Sequence, residues 1–374
     1  MKGYFRKRGN KWSFTVDIGR DPSTGKRKQK TVSGFRTKKE AEAACQALLY
    51  ELNNGIYIDE KDWTVRQLME YYIEVHVLKL RPRTIDNYIK YIKNYIYPTL
   101  GDIKVKDLTA IKVQKWLAEL NEKGYSLSTQ KTVYLLLKGA LKKAVAWEIV
   151  KKNCMENIPC PNPKRVERVT WSVEQVRSFL NLSRQRNLNY YIAFLIAFHT
   201  GMRKSEILGL QWKDIDFDKR MIHVRRSLLD KKGGGYDFDD VKSSSSRRTI
   251  AIDDILLTEL KRHRIRQHEY RLAHGENYVD MDLVVSTYKG TPINQRTISE
   301  EFYIIRDRLG LPKIRFHDIR HTHATLLLQY GENVKVISER LGHSNIGITL
   351  DVYSHVVPDM QREAAEKIAR ILGK

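Results

Sequence analysis

Four short segments of this 374-residue chain, TGMRKSEILGL, VKSSSSRRTI, FHDIRHTHATLLLQYG and LGHSNIGITLDVYSH, carry cations and hydrogen-bonding groups where apolar patterning alone does not ask for them. They supply Arg203 and Glu206, Lys242, His317 with Arg320, and His343 with Tyr353. As a set these are the parts that phosphoryl transfer to a protein hydroxyl requires. Attack on a phosphodiester builds charge on the non-bridging oxygens, and planar guanidinium forks match that geometry, so two arginines can do the work of a metal ion. Arg203 and Arg320 suit that role. A tyrosine hydroxyl, with a pKa of about 10, must lose its proton as it attacks, and either His317 or His343 can take it. The leaving 5′-oxygen needs a proton in return, which Lys242 can give.

Each segment taken singly also has a plainer reading. Arg203 and Glu206, three apart, form an ordinary helical salt bridge. The serine run after Lys242 is a solvated loop at a hairpin tip, and Lys231 and Lys232 lie in the same region. His317 and Arg320 share a helix face, with Leu326 and Leu327 on the other. His317 and His321, four apart, suggest zinc, but a third ligand is wanting and no glutamate stands between them. Tyr353 alone, one of twenty tyrosines, reads as packing.

Lys and Arg outnumber Asp and Glu by 67 to 44, a net charge of +23 that calls for a polyanionic partner, nucleic acid before an anionic membrane. No uncharged apolar run approaches the ~18 residues of a membrane span. MKGYFRKRGNKW lacks the apolar stretch of a secretory signal. Cys45, Cys154 and Cys160 are scattered and odd in number, which suits a reducing cytoplasm better than a disulfide framework.

Elements able to position these residues follow from periodicity. Residues 1–40 hold thirteen Lys or Arg against Asp17, Asp21 and Glu40, and alternate apolar with basic residues around turns at Gly9-Asn10 and Asp21-Pro22. A helix opened by Thr37 and Glu40 and closed near Gly55 completes a three-stranded sheet backed by one helix, residues 1–58. Residues 63–158 change to a period of 3.6 and predict four helices, one opening at the Thr64–Gln67 box, one through RTIDNYIKYIKNYIYP, one after Leu108 and one after Ser128. In the second of these, Tyr88, Tyr91 and Tyr95 alternate with Lys90 and Lys93, which can face either phosphates or a core. Pro159, Pro161 and Pro163 begin a linker, 159–170. Residues 171–374 predict a mainly helical α+β domain: a capped helix at SVEQVRSFL, a buried helix YYIAFLIAFHTG, strands at MIHVRRSL and RRTIAI separated by a loop, and further helices. The class predicted is multidomain α+β, without internal repeats.

The order Arg203, Lys242, His317-x-x-Arg320, Leu341-Gly342-His343, Tyr353 resembles the tyrosine recombinases, the phage and transposon integrase family, and the likeness covers most of the chain. It implies that Tyr353 is the nucleophile, Arg203, Lys242, His317, Arg320 and His343 the other catalytic residues, and Glu206 a brace. Lys242 directly precedes the SSRRTI strand, as the family's catalytic lysine does. It also implies an arm-type DNA-binding domain at 1–58, a core-binding domain at 63–158 and a catalytic domain at 171–374. Such an enzyme would clamp duplex DNA, form a 3′-phosphotyrosyl bond, free a 5′-hydroxyl, and pass through a Holliday junction within a homotetramer. It would need neither cofactor nor metal, since the phosphotyrosine stores the bond. Excisionase or DNA-bending proteins are expected partners. The tail PDMQREAAEKIARILGK, apolar at Met360, Ala364, Ile368 and Leu372, predicts an amphipathic helix that docks on a neighbouring subunit or on its own domain. Three other classes compete: a catalytically silent architectural DNA-binding protein on the same scaffold, a metal-dependent nuclease, and a relaxing topoisomerase.

Overall fold

The structure is a computed structural model and describes residues 3–20, 27–53, 62–80, 82–163, 169–231, 234–240, 247–343, 347, 365–366 and 368–373. The chain divides into two compact units, residues 1–165 and 166–374.

The first unit opens with the expected sheet. Strands β1 (Tyr4–Arg8), β2 (Lys11–Arg20) and β3 (Arg27–Phe35) pair antiparallel in the order β1-β2-β3, and helix α1 (Lys38–Asn53) packs on them. Alternation along β2 sends Phe14 and Val16 inward, where they meet Ala41 and Cys45 of α1, while Phe14 stacks on Phe35 at 5.7 Å. The cations stay in solvent: Arg6, Lys7, Arg8, Lys11, Arg27 and Lys28 are all exposed.

A helical bundle completes this unit: α2 (Val65–Val75), α3 (Pro82–Tyr91), α4 (Tyr97–Leu100), α5 (Ala110–Glu122) and α6 (Leu127–Ala146). Thr64 and Gln67 form the capping box that the sequence predicts. The second predicted helix runs past Pro98 because a π-helical turn, Ile92–Ile96, joins α3 to α4. Pro98 has no N–H to give to the carbonyl four residues back, and the ladder widens there, with Tyr97 N–H reaching Ile92 O. Tyr88, Tyr91 and Tyr95 pack partly buried on the bundle core while Lys90 and Lys93 stay exposed, the core-facing reading of that segment. Trp116, fully buried, donates Nε1–H to Tyr95 O at 2.8 Å.

The second unit is organised around α8 (Leu188–Thr200), which lies antiparallel neighbour to α7 (Val173–Arg186) and is apolar on every side. Trp171, Phe179, Phe194, Phe302 and Phe316 interlock around it, with Trp171 and Phe302 at 5.5 Å and Phe179 and Phe302 at 5.1 Å. Truncating one such fully buried ring, Phe302→Ala, costs about 3–5 kcal/mol on general grounds. Helix α9 (Lys204–Leu208) follows, then β4 (Ile215–Asp216), β5 (Met221–Val224), β6 (Arg226–Asp230), β7 (Tyr236–Asp240) and β8 (Arg248–Ala251). Helices α10 (Asp254–His274), α11 (Gln295–Arg308), α12 (Ile319–Gln329) and α13 (Val334–Leu341) close the fold.

Two expectations change here. MIHVRRSL is not one strand: it breaks at Arg225, so that β5 joins β4 and β8 while β6 pairs with β7 in a separate hairpin. YDFDD, read as loop, is β7, because Tyr236 and Phe238 pack against the main core and outweigh the strand-averse aspartates. Residues 365–366 and 368–372 are helical, with Ile368, Ile371 and Leu372 at 55%, 71% and 74% exposure. Met360 and Ala364 lie outside the described residues. No helix among the described residues is long and apolar enough to cross a membrane.

Candidate active site

Arg203 is placed by the end of α8. Gly201 terminates that helix with φ +65°, and a Cβ there would sit 2.6 Å from Leu341 Cδ2 and 2.7 Å from His323 Cδ2, so only glycine fits the turn. The chain then straightens, and Arg203 caps α9 in extended conformation. Its backbone N–H and its Nη1 both donate to the Glu206 carboxylate, at 2.9 and 2.7 Å, and its Nη2 donates to Gly342 O at 3.3 Å. The predicted Arg203–Glu206 salt bridge is present, with Glu206 only 2% exposed.

Glu206 holds a second guanidinium that sequence reading missed. Arg248, on β8, donates Nη2 and Nη1 to the two carboxylate oxygens at 2.8 and 3.2 Å and Nε to Arg340 O at 2.8 Å. Burial alone would raise the Glu206 carboxyl, but the hydrogen bonds and charge of Arg248, and then Arg203, outweigh it and hold the group below its usual range. A signal for Arg248 did exist. It stands in phase with Ile250 and Ile252, both buried, and a cation on the inward face of a strand must be paired.

Arg320, 4% exposed on α12, donates Nη1 to Gly201 O at 3.0 Å. His317 is not on that helix, as expected, but on the 3-10 turn Phe316–Asp318 before it, where it is exposed and meets His321 edge-on at 5.7 Å. Nor does α12 divide into a polar and an apolar face. His321, Thr322, His323 and Thr325 are buried with Ala324 and Leu328, because neighbouring elements cover its first two turns on all sides, while Leu326 and Leu327 are half-buried. No group of three or more His, Cys, Asp or Glu able to hold a metal occurs among the described residues.

His343 follows Gly342, the left-handed cap of α13 at φ +68°, and its N–H reaches Ser338 O at 3.0 Å. It is the meeting point of the set. Burial first, then the charges of Arg320, Arg203, Arg248 and His317, push its imidazole down to about 4. It is therefore neutral at neutral pH, and an anion placed among those arginines would cancel their field and raise it again. Three guanidiniums against one carboxylate leave a cationic hollow suited to a phosphodiester gaining charge. Arg248 also borders a cleft of about 520 Å³ lined by Arg225, Arg226, Arg247, His223 and Thr249, which extends the basic surface.

Lys242 and Tyr353 lie outside the described residues. Of the alternatives to Lys242, Lys231 is exposed beside Asp237 at 3.7 Å, and Lys232 is outside the described residues as well.

Comparison with known proteins bears on the chain at three places. Residues 171–360 match the phage integrase family, residues 4–52 an arm DNA-binding domain, and residues 64–121 a phage integrase N-terminal SAM-like domain. Among curated proteins, a tyrosine recombinase XerC-like protein of Caldanaerobacter subterraneus is 34% identical over 96% of this chain and 95% of its own length. The ICEBs1 integrase of Bacillus subtilis is 30% identical over 96% and 97%. Among solved structures, a Tn1549 transposon integrase bound to transposon right end DNA aligns with TM-score 0.71 and 26% identity, over 82% of this chain and all of that one. A lambda integrase tetramer bound to a Holliday junction shares the fold at TM-score 0.57 and 18% identity, over 92% and 95%.

Proposed function

The chain belongs to the phage integrase family of tyrosine recombinases, and from that premise we propose how its residues divide the work of site-specific DNA recombination. Tyr353 is the nucleophile. Its hydroxyl oxygen attacks the scissile phosphorus, the bond from phosphorus to the 5′-oxygen breaks, and a 3′-phosphotyrosyl ester remains. Arg203 and Arg320 hold the non-bridging oxygens, with forks fixed before the phosphate arrives, so little reorganisation is needed as charge develops. Glu206 and Arg248 keep Arg203 in place. Lys242 gives the leaving oxygen its proton. The hydroxyl of the partner strand then attacks the phosphotyrosine in reverse, so bond energy is conserved and neither nucleotide nor metal is called for.

His343, held neutral by burial and then by its arginine neighbours, can accept a proton once phosphate neutralises those charges. His317, exposed on its turn, is the other candidate for accepting the tyrosine proton.

The observation that carries this reading is the convergence of Arg203, Arg248 and Arg320, from three separate elements, on the imidazole of His343, with Glu206 holding the first two. Residues 1–58 act as the arm-type binder, 63–158 as the core binder, 159–170 as the linker and 171–374 as the catalytic domain, on double-stranded DNA and as a homotetramer through a Holliday junction. An excisionase or bending protein sets direction. The exposed Ile368, Ile371 and Leu372 favour docking of the tail on a neighbouring subunit. Truncation after Pro358 should then weaken assembly on DNA by light scattering, and unchanged assembly would reassign the tail to its own domain.

The test of the whole reading is Tyr353→Phe on a nicked suicide substrate. DNA binding should persist and the covalent protein-DNA band vanish; a surviving band would remove Tyr353 from its role.

A further inference from the structure

We propose that Arg340 is a positioning residue of the active site: its side chain clamps the turn carrying Gly342 and His343 onto three other elements that carry or lead into the arginine cluster. Each guanidinium nitrogen is committed. Nη2 donates to His199 O at 2.7 Å, at the end of α8; Nη1 donates to Ala251 O at 3.0 Å, at the end of β8; Nε donates to His323 Nε2 at 3.2 Å, on α12. Those elements lead respectively into Gly201 and Arg203, out of Arg248, and on from Arg320. The backbone of Arg340 closes the circuit, since its carbonyl accepts Arg248 Nε at 2.8 Å. One residue thus touches β8 and α12, which carry Arg248 and Arg320, and α8, which leads into Arg203, and it does so three positions before His343.

The acceptor on α12 is built for this donor. His323, 6% exposed, presents Nδ1 to Phe198 O at 2.7 Å, a carbonyl that can only accept, so the ring proton sits on Nδ1 and the Nε2 lone pair is left for Arg340. Burial and the adjacent Arg340 keep the ring neutral, pushing it down to about 3. Placing a guanidinium here has a cost, seen in the downward pull of burial on Arg340 itself. Packing alone would be served better by a leucine or methionine of similar size. A lysine could satisfy one or two of the three acceptors, but not in the planar fork that fixes their mutual directions. Because these donors point at protein acceptors, Arg340 adds little to phosphate binding. Its effect reaches the reaction through the separation of His343 from Arg203, Arg248 and Arg320.

The proposal rests on His343 being a site residue, so one readout is taken without DNA. In full-length protein carrying labelled histidine, with His343→Gln for assignment, the His343 resonance should titrate near 4 in the parent. In Arg340→Met and Arg340→Lys it should titrate upward, towards the ordinary histidine value, as the turn leaves the arginine field. This result stands or falls whether or not the parent cleaves DNA. On the suicide substrate both variants should bind with unchanged affinity and salt dependence while single-turnover cleavage falls about 10²-fold, the size of effect that misplacement by an ångström produces. His323→Gln, which retains one donor and one acceptor, should stay close to the parent, whereas His323→Leu should resemble Arg340→Lys. If Arg340→Met does not fold, Arg340→Lys and His323→Leu carry the test. Parental cleavage by Arg340→Lys, an unmoved His343 titration, or slow cleavage explained by weaker binding with a shallower salt slope would each overturn the proposal.

Discussion

The sheet at the start of the chain and the cluster around Glu206 are both built from cations, but one points them outward and the other locks them in. Arg6, Lys7, Arg8 and Lys11 ride exposed on strands that also help form the small core of Phe14, Val16, Ala41 and Cys45. Arg248 and Arg320 are 6% and 4% exposed, and each is tied to a carboxylate or carbonyl supplied by a distant part of the second unit. The same chemical group therefore does two jobs. An exposed cation on a flexible stem adds screened, sequence-tolerant attraction, and many stems can be exchanged for one another. A buried fork adds direction, and cannot be exchanged even for another cation.

The most severe test of this contrast replaces charge with charge. Arg320→Lys should lose about 10²–10³-fold in single-turnover cleavage at near-parental DNA binding, the range seen when one preorganised donor is removed; a variant within threefold of the parent would show that charge alone suffices there. Glu206→Gln comes next. Arg203 and Arg248 would lose the anion that separates them, and cleavage should fall about 10-fold or more as their forks shift, with affinity unchanged or slightly raised. At the other pole, Arg6, Lys7, Arg8 and Lys11 all changed to Gln should leave cleavage of a short core substrate at its parental rate. On arm-containing DNA the same change should flatten the slope of log affinity against log salt by up to about 0.9 per lost phosphate contact. Parental slope after that change would deny the sheet its role.

The smallest effect concerns stability. His343 and His323 are held neutral, near 4 and 3, as is the fully buried His263, near 4. Folded pKa values below the ordinary 6.5 mean that the unfolded chain takes up protons first, so stability is complete above about pH 6.5 and declines as pH falls towards 4. The urea midpoint of the isolated protein should be lower at pH 5 than at pH 7, and His323→Gln should reduce that difference.

What could be read from the sequence follows the same division. Local periodicity was enough for the N-terminal sheet, the capped α2 and α7, and the buried α8, because each depends on residues a few positions apart. Arg203 and Glu206 were legible for the same reason. The strand phase marks Arg248 as an inward cation, but neither its partners nor Arg340 can be read locally: 92 residues separate Arg248 from Arg340, and 141 separate Arg340 from His199. Two of the three acceptors of Arg340 are backbone carbonyls, which every residue has and no motif marks. Strand β7 was misread because aspartates weigh against a strand locally, while the packing of Tyr236 and Phe238 that decides the matter is tertiary.

Gly201 has a practical meaning beyond the turn it makes. It carries no charge and no side chain, yet Arg320 reads its carbonyl and the ring of His323 lies against its Cα hydrogen. A single added methyl, Gly201→Ala, would act as a wedge between α8 and the pair formed by α12 and α13, driving Arg203, Arg320 and His343 apart without altering any of them. Such an allele would be a mechanical off-switch, keeping the surface that meets DNA while disengaging the gears behind it.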